Sequence, residues 1–310
     1  MIEARSIGPL AVSVVGLGCN QIGTTCDELE SRAIVHAALE RGITLFDTAD
    51  EYGNGRSEEV LGRLLRGHRN EVVLATKFGC PIGTDPACSG ASARWITRAL
   101  EDSLRRLGTD RIDLYQLHFP DDQVPIEETL SALDGLVRAG KVRTIGCCNL
   151  DPPAIHTAAA AARTGRFSSF ASVQTKLNLL RRERLNDVAP ACVAEGMVLI
   201  PYFPLASGLL TGKYRRGMPP PPGSRLSENV PPEVAAKVLS DATFDRIEAL
   251  DRIANAEGRS LLELAVAWLA SLPVVGSVIC GATSATQVAR NVAAGDWRLD
   301  AAIMGAIAAT

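Results

Sequence analysis

Ile43-Thr44-Leu45-Phe46-Asp47 is the first of three apolar runs that each end on a residue able to exchange a proton. The second run is Val72-Val73-Leu74-Ala75-Thr76-Lys77, and the third is Ile112-Asp113-Leu114-Tyr115-Gln116-Leu117-His118. A tyrosine, Tyr52, follows the first run. In a barrel of parallel strands the carboxyl ends of all the strands lie at one rim, so these side chains are expected to meet there. We therefore predict a site for proton chemistry formed by Asp47, Tyr52, Lys77 and His118.

The chain from Val14 onward alternates strand-like and helix-like segments, a pattern typical of a parallel sheet covered by helices. The eight strand-like segments are residues 14–17, 43–46, 72–76, 112–117, 142–146, 172–176, 197–201 and 274–279. Helices are predicted after the first two strands and at residues 93–107, 126–139, 152–162, 182–195, 244–257, 261–270 and 285–294. This alternation predicts an α/β protein, a (β/α)8 TIM barrel that forms a single domain over residues 1–310.

Polar residues and glycines predict where the first two helices begin and end. Thr25 with Glu28 matches a capping box, and Gly42 follows as the end of that helix. Ser57 is the predicted start of the second helix, because acidic residues that suit a helix N-terminus come directly after it.

Glycine and proline patterns favour the barrel over the main alternative, an open doubly wound sheet. The first strand-to-helix turn, Gly16-Leu17-Gly18-Cys19-Asn20-Gln21-Ile22-Gly23, lacks the GxGxxG pattern of dinucleotide-binding sheets. Before it, Ile7-Gly8-Pro9-Leu10 is typical of a tight turn, and we expect a short N-terminal β-hairpin that caps the barrel floor. The segment Gly217-Met218-Pro219-Pro220-Pro221-Pro222-Gly223-Ser224 predicts a stiff extended loop after the seventh strand.

The composition is that of an ordinary soluble protein. It has 310 residues, 46% hydrophobic and 22% charged, with a formal net charge of −3. We therefore expect a neutral or anionic small-molecule substrate and no nucleic-acid partner.

No apolar run reaches the roughly 18 residues that span a bilayer, and the amino terminus does not resemble a signal peptide. Eight cysteines without CxxC spacing predict a cytoplasmic protein, and the histidine spacing predicts no metal site. The oligomeric state stays open.

The four rim residues suit the reduction of a carbonyl group. A free tyrosine has a pKa of about 10, and lowering it by ~3 units requires ~4 kcal/mol of stabilisation of the phenolate. Lys77 is placed to supply part of this as a neighbouring cation, and Asp47 to keep the lysine charged and oriented. A neutral His118 would orient the carbonyl by donating one hydrogen bond. Since no side chain transfers a hydride, redox chemistry requires a bound cofactor.

The segment Leu45-Phe46-Asp47-Thr48-Ala49-Asp50-Glu51-Tyr52-Gly53 is similar to the Asp-and-Tyr signature of the aldo-keto reductases. Ser57-Glu58 with Leu61-Gly62 continues the match, and Lys77 and His118 fall on the other two catalytic positions. The similarity runs from about Val14 to Ala294. The chain resembles most the branch that includes potassium-channel β subunits. This resemblance implies an NAD(P)(H)-dependent enzyme that interconverts a carbonyl and an alcohol, with Tyr52 as general acid and base.

The resemblance also implies where the nicotinamide lies. Cys148-Asn149 resembles the Ser-Asn pair that holds the carboxamide, with Gln174 as the third contact and Tyr202 stacked on the ring. Because a thiol is a poor hydrogen-bond donor, we expect the contact of Cys148 to be weaker than that of serine. Further contacts near the first strands are implied for Gly18, Cys19, Asn20 and Asp47.

The segment Ala206-Ser207-Gly208-Leu209-Leu210-Thr211-Gly212-Lys213-Tyr214 resembles the family's pyrophosphate loop, where small residues let backbone N–H groups approach phosphate. The implied contacts in and before this loop are Pro204, Leu205, Ser207, Gly208 and Lys213. The last strand-to-helix turn matches the adenosine end of the site, with implied contacts from Gly281, Thr283, Gln287, Arg290 and Asn291.

NADP(H) is favoured over NAD(H), and NAD(H) remains an open alternative. Arg225 aligns with an arginine that binds the 2′-phosphate in the channel-subunit branch, and a phosphate dianion favours a guanidinium fork. Against this, Thr283 and Ser284 offer only hydroxyls where many NADP-preferring relatives carry Lys or Arg. Arg290 stands where an acidic residue that contacts adenine is expected, and its charge would add to the positive field.

Two further questions stay open from the sequence. A regulatory or docking module that binds NADPH with little turnover is the alternative to an enzyme, although retention of all four catalytic residues favours turnover. The substrate is expected to be set by the loops at residues 79–94, 119–125 and 217–232. The first of these has no aromatic residue near its start, which favours a polar, sugar-like substrate.

Overall fold

Eight parallel strands form the centre of the structure, a computed structural model that describes residues 2–84, 88–228 and 230–310. An antiparallel hairpin of β1 (Ala4–Ile7) and β2 (Leu10–Ser13) precedes them. The barrel strands are β3 (Val15–Gly18), β4 (Leu45–Asp47), β5 (Val73–Phe78), β6 (Ile112–Leu117), β7 (Val142–Cys148), β8 (Phe170–Lys176), β9 (Val198–Tyr202) and β10 (Val278–Gly281). They follow the order β10-β3-β4-β5-β6-β7-β8-β9, so the (β/α)8 TIM barrel predicted from the sequence is confirmed.

The ring closes between β9 and the segment that leads into β10. The amide of Leu199 donates to the carbonyl oxygen of Val274, and the amide of Gly276 donates to the carbonyl oxygen of Leu199, each at 2.8 Å. The sequence predicted the last strand at residues 274–279, whereas β10 lies at Val278–Gly281. This prediction was wrong in its bounds because the first residues of the segment make these closing bonds and only the later ones pair with β3.

Helices connect the strands and surround the barrel. They are α1 (Glu28–Glu40), α2 (Arg56–Leu64), α3 (Ala93–Leu107), α4 (Ile126–Arg138), α5 (Pro152–Gly165), α6 (Val188–Ala194), α7 (Arg225–Glu228), α8 (Pro232–Val238), α9 (Asp241–Ala256), α10 (Leu261–Ala270), α11 (Ala285–Ala294) and α12 (Ala301–Ala308). Short 3₁₀ helices lie at Glu183–Leu185 and Ala206–Thr211. In the part of the chain described here, no helix has the length and apolar character that would let it cross a membrane.

The predicted helix starts differ from the structure in four places, one of which is α9, predicted at 244–257 but beginning at Asp241. The cap of α1 is Asp27 with Glu30, not Thr25 with Glu28: each side chain of that pair accepts a hydrogen bond from the other's backbone amide, at 2.9 and 3.0 Å. Ser57 lies inside α2, which begins after Gly55. The predicted helix 182–195 is divided, since Pro190 lacks an N–H and fits only in the first turn of α6.

The N-terminal hairpin fills the amino end of the barrel, in agreement with the sequence prediction. Ile7, Leu10 and Val12 are buried in one apolar cluster with the inward-facing residues Leu114 and Ile200 of two barrel strands. The hairpin does not fill the carboxyl end of the barrel, and the functional side chains lie there.

The described residues of the proline-rich segment 217–224 form neither helix nor strand, as predicted, and α7 and α8 follow it. Of the loops expected to set substrate choice, Asp85, Pro86 and Ala87 in 79–94 and Asn229 in 217–232 lie outside the described residues.

Replacing Gly62 with alanine should destabilise the fold. A Cβ at Gly62 in α2 would lie 2.4 Å from the carbonyl oxygen of Leu107, a backbone atom that cannot rotate away. We expect Gly62→Ala to lower the free energy of unfolding by ~1–3 kcal/mol in urea titration. The matched control is Gly135→Ala in α4, where a Cβ meets nothing within 4 Å and should stabilise the helix by ~0.5–1 kcal/mol. Equal unfolding midpoints for the two variants would contradict the close packing of α2 against α3.

Candidate active site

A buried lysine–aspartate pair lies at the carboxyl end of the barrel. Asp47 is the last residue of β4, Lys77 lies in the neighbouring strand β5, and the lysine side chain is fully buried. The Nζ atom of Lys77 donates to Asp47 Oδ2 at 2.7 Å, to the carbonyl oxygen of Thr48 at 2.9 Å and to the hydroxyl of Tyr52 at 3.4 Å. These contacts use all three protons of the ammonium group, so the charge is fixed in position.

The second carboxylate oxygen of Asp47 is held by two amides from other strands. Gln116 in β6 and Gln174 in β8 each donate a side-chain N–H to Asp47 Oδ1 at 3.0 Å. A buried ion pair is stable only when its remaining lone pairs are satisfied, and these two bonds meet that condition. Asp47 therefore joins four of the eight strands, β4, β5, β6 and β8, at one point.

Tyr52 lies in the turn between β4 and α2, with its hydroxyl beside the ammonium of Lys77. Burial of the phenol raises the pKa of Tyr52 to about 12, and the opposing charge of Lys77 only partly offsets this. Lys77 lowers the pKa of Tyr52, as expected from the sequence, but desolvation of the phenolate outweighs the effect of this one neighbouring cation. Tyr52 is protonated at neutral pH.

His118 directly follows β6, and its backbone is fixed on both sides. Its amide donates to the carbonyl oxygen of Phe78 at 2.9 Å, and its carbonyl oxygen accepts from Asn149 Nδ2 at 3.1 Å. The ring lies edge-on to Tyr52 at 6.0 Å between centroids. Burial, with a further contribution from Lys77, lowers the pKa of His118 to about 3, so the imidazole is neutral at physiological pH. The structure thus brings the four predicted rim residues together.

The residues predicted to hold a nicotinamide lie beside this group. Cys148 ends β7 and is buried, and Asn149 follows in a left-handed conformation with φ of 60°. The amide of Asn149 donates to the carbonyl oxygen of Gln174 at 2.9 Å, and the hydroxyl of Tyr202 donates to Asn149 Oδ1 at 2.8 Å. Asn149, Gln174 and Tyr202 therefore form one connected group next to Asp47.

The loop after β9 turns sharply and carries a run of left-handed residues. Positive φ values occur at Phe203, Ala206, Ser207, Gly208 and Gly212. The predicted contacts Pro204, Leu205, Ser207, Gly208 and Lys213 all lie in this turn. Gly208 has a φ of 92°, a conformation that side chains rarely adopt, and a Cβ there would be 2.8 Å from Nζ of Lys213.

Two cations, Arg225 and Lys176, lie close to the ring of Phe203 in this turn. The guanidinium of Arg225, at the start of α7, lies 4.7 Å from the ring centroid, and Nζ of Lys176 lies 5.2 Å from it. The pKa of Lys176 is lowered by burial and by the charges of Arg181 and Arg225. Lys176 was not among the predicted site residues, although its position as the last residue of β8 is the signal that identified Asp47.

The residues predicted at the adenosine end lie between β10 and α11. Gln287 Oε1 accepts from the amide of Thr283 at 2.9 Å, which orders the turn, and Arg290 is exposed on α11. Asn291 Nδ2 donates to the carbonyl oxygen of Gly281 at 3.3 Å, while its Oδ1 is buried and has no hydrogen-bond partner among the described residues.

Gly18, Cys19 and Asn20 lie at the end of β3 and just after it. The Cys19 amide donates to the carbonyl oxygen of Asp47 at 2.8 Å. Gln21, which was not predicted, has a buried Oε1 with no hydrogen-bond partner in the described part of the chain, 3.7 Å from where a Cβ of Gly281 would lie.

The chain matches the model of the aldo/keto reductase family over residues 14–310. The chain belongs to the aldo/keto reductase family. It is 34% identical over 278 residues to a probable voltage-gated potassium channel subunit beta of Oryza sativa subsp. japonica, covering 88% of this chain and 84% of that protein. It is also 34% identical over 274 residues to L-glyceraldehyde 3-phosphate reductase of Escherichia coli K12, covering 86% and 79%. The aldo-keto reductase YhdN of Bacillus subtilis is 34% identical over 308 residues, covering 96% and 90%.

Aldo/keto reductases use nicotinamide cofactors, and the groups at this rim fit such a molecule. The free acceptor of Asn291 suits the amino group of adenine, which is a hydrogen-bond donor. The small residues of the turn after β9 and the cations around Phe203 suit phosphate groups. The fit depends on contacts from several loops, which is typical of sites at this face of a barrel.

One buried acid in the signature segment of this aldo/keto reductase was not predicted to have special properties. Asp50 is fully buried, and its carboxylate oxygens have no well-formed hydrogen bond within the described structure. Burial first, and then the negative charge of Glu58, raise the pKa of Asp50 to about 8. Glu58 itself is paired with Arg106 Nε and with the Thr76 hydroxyl, both at 2.6 Å. Asp50 therefore retains its proton at neutral pH.

Asp50→Asn should remove a pH-dependent loss of stability. The folded protein binds the Asp50 proton up to about pH 8, whereas the unfolded chain releases it near pH 4. As pH rises from about 4 to about 8, this group therefore lowers the free energy of unfolding of the native protein by up to ~1.4 kcal/mol per pH unit. Asparagine carries no such proton, so the variant lacks this loss. We expect the unfolding free energy of Asp50→Asn, relative to the native protein, to increase from pH 5 to pH 8 in urea titrations. The exposed Asp110→Asn is the control, and a pH-independent difference for Asp50→Asn would contradict the raised pKa.

Proposed function

We propose that this chain is an NAD(P)(H)-dependent oxidoreductase that reduces an aldehyde, ketone or sugar carbonyl to the alcohol. The observation that carries the proposal is the position of the Tyr52 hydroxyl, 3.4 Å from a lysine ammonium that is held by Asp47 at 2.7 Å. Together with His118 on the next strand, this group offers a proton and a hydrogen-bond donor at the rim where aldo/keto reductases bind their cofactor. The names of related reductases support the same reaction class.

Tyr52 would act as the general acid. The bound dinucleotide supplies the hydride, and the residues of this chain supply orientation and the proton. A phenol with a pKa of about 12 is protonated at pH 7, yet it is a much stronger acid than water, whose pKa is ~15.7. The alkoxide-like oxygen that develops during reduction is therefore basic enough to take the proton. Lys77 would stabilise the resulting phenolate at the moment when it forms.

His118 would orient the substrate oxygen and not carry charge. Its pKa of about 3 leaves one ring N–H as a donor and one ring nitrogen as an acceptor across physiological pH. A cationic histidine next to Lys77 would add repulsion to the site. The neutral ring avoids that cost and still donates the hydrogen bond.

With the pKa of Tyr52 raised, we expect alcohol oxidation to be slow at neutral pH. Alcohol oxidation needs a base at this position, and the phenolate is a small fraction of Tyr52 at pH 7 when the pKa is about 12. We therefore expect the oxidation rate to rise with pH in the alkaline range. The sequence alone left the direction open.

NADP(H) is the proposed cofactor, with NAD(H) as the alternative. Arg225 and Lys176 lie 4.7 and 5.2 Å from the centroid of the Phe203 ring in the turn after β9, and two cations favour a phosphate dianion over a ribose hydroxyl. For the substrate we propose a small polar carbonyl compound, in keeping with the expectation from the loop at 79–94.

A regulatory module is less well supported. A relative carries the name of a channel subunit, but a module of that kind needs only the dinucleotide contacts. The complete set of Asp47, Tyr52, Lys77 and His118, with Lys77 in contact with Asp47 and Tyr52 and the His118 ring edge-on to Tyr52, argues for turnover.

The direct test is an absorbance assay of the purified chain. NADPH or NADH is mixed with a panel of aldehydes, ketones and sugars, and the reverse reaction is run with alcohols at pH 7 and pH 9. We expect NADPH consumption with at least one small polar carbonyl, and faster alcohol oxidation at pH 9 than at pH 7. Tight NADPH binding without turnover of any compound in either direction would instead favour the regulatory module.

Tyr52→Phe should lose nearly all turnover and keep cofactor affinity, because the substitution removes only the hydroxyl proton. Turnover is followed by NADPH absorbance, and affinity by quenching of protein fluorescence. Tyr115→Phe, a buried tyrosine whose hydroxyl donates to the carbonyl oxygen of Ile96, is the control and should retain activity. Wild-type turnover by Tyr52→Phe at pH 7 would require another proton donor.

Arg225→Ala should weaken NADPH binding by roughly 10-fold, about 1.4 kcal/mol, and leave NADH binding nearly unchanged. The reason is the loss of one guanidinium from the cluster around Phe203. Arg215→Ala, an exposed arginine earlier in the same loop, serves as the matched control. If Arg225→Ala binds NADPH as tightly as the native chain, the proposed phosphate contact does not exist.

A further inference from the structure

We propose that Glu51, Cys80 and His118 form a binding site for a borderline divalent cation such as Zn²⁺, and that the bound cation blocks the active site. The three residues follow the neighbouring strands β4, β5 and β6 at the carboxyl rim. They bring a carboxylate, a thiol and an imidazole into one cluster next to Tyr52.

The distances in this cluster are close to those of a zinc site. One ligand atom from each residue lies within 4.8 Å of the other two, and Nδ1 of His118 is 3.9 Å from Oε1 of Glu51. Around tetrahedral zinc, with bonds of about 2.0–2.3 Å, neighbouring ligand atoms are roughly 3.3–3.8 Å apart. Rotation of the Glu51 and Cys80 side chains, which are only half-buried, would bring the ligand atoms to these distances.

The imidazole nitrogen that faces this cluster lacks a partner of its own. Nδ1 of His118 is buried and makes no hydrogen bond to any described residue, and the whole residue is only 8% exposed. A buried polar atom without a partner costs free energy, and a metal ion would satisfy it. Oε1 of Glu51 lies 3.9 Å from this nitrogen, and Cys80 belongs to the same cluster.

The donor set selects the kind of cation. Sulfur, imidazole nitrogen and carboxylate oxygen are the ligands of zinc, whereas Mg²⁺ and Ca²⁺ prefer oxygen alone. On binding, the Cys80 thiol gives its proton to solvent and the cation takes its place. Three protein ligands leave one coordination position for water.

A cation at this position would prevent catalysis. It would occupy His118, which is proposed to orient the substrate oxygen, and it would add positive charge beside Lys77. The blocking part of the inference rests on the proposed function, whereas the binding part depends only on the three ligands. Spacing in the sequence predicted no metal site, because the ligands come from three separate loops.

Binding is tested on the full chain without any cofactor. Zn²⁺ is titrated against a chromogenic chelator, and Co²⁺ is added separately to look for the thiolate charge-transfer band and tetrahedral d–d bands. We expect one Zn²⁺ per chain, weakened at least ~10-fold by Cys80→Ser and by Glu51→Gln, and loss of the charge-transfer band in Cys80→Ser. Cys88→Ser, which alters a cysteine of the same loop outside the cluster, should bind as the native chain does. Equal zinc affinity in Cys80→Ser and Cys88→Ser would overturn the site.

Blocking is tested with a carbonyl substrate found in the activity panel. We expect micromolar-range or tighter Zn²⁺ to suppress turnover of the native enzyme in proportion to occupancy, and Cys80→Ser to resist it by the same factor by which its affinity falls. Turnover that continues with zinc bound would overturn the blocking role. If no carbonyl is reduced even without zinc, the proposed function fails, while the titration still decides whether the site exists.

Discussion

The ion pair between Lys77 and Asp47 is the contact on which the rim of this barrel depends. A fully buried ammonium is tolerated only next to a carboxylate, and this carboxylate in turn is held by amides from two more strands. Removing one partner would leave a buried charge, which typically costs 3–5 kcal/mol. The pair therefore has a structural role in joining strands, and the same geometry holds a cation beside Tyr52.

Burial sets the protonation of the other rim groups, and in each case it favours the neutral form. His118 stays neutral because its pKa is lowered to about 3, and Tyr52 keeps its proton because its pKa is raised to about 12. Asp50 is neutral for the same reason. The Lys77–Asp47 ion pair thus lies beside a protonated Tyr52 and a neutral His118, an arrangement that suits a proton donor better than a base.

Much of the architecture could be predicted from the sequence, because strands buried on both faces give continuous apolar runs and the helices are amphipathic. The convergence of Asp47, Tyr52, Lys77 and His118 followed from the barrel rule alone. Helix starts were less predictable: Thr25 and Asp27 are both good caps, and only the fold decides between them. The pKa of Tyr52 and the neutral Asp50 depend on desolvation, which is set by neighbours distant in the chain.

The seam between β9 and β10 has a consequence for the stability of the barrel. The elements predicted to hold the two ends of a dinucleotide, the turn after β9 and the start of α11, extend from opposite sides of this seam. Two backbone hydrogen bonds of Leu199 join the sides near the amino ends of the strands. A ligand that contacts both elements would bridge the junction. Part of its binding free energy would therefore stabilise the ring against local opening.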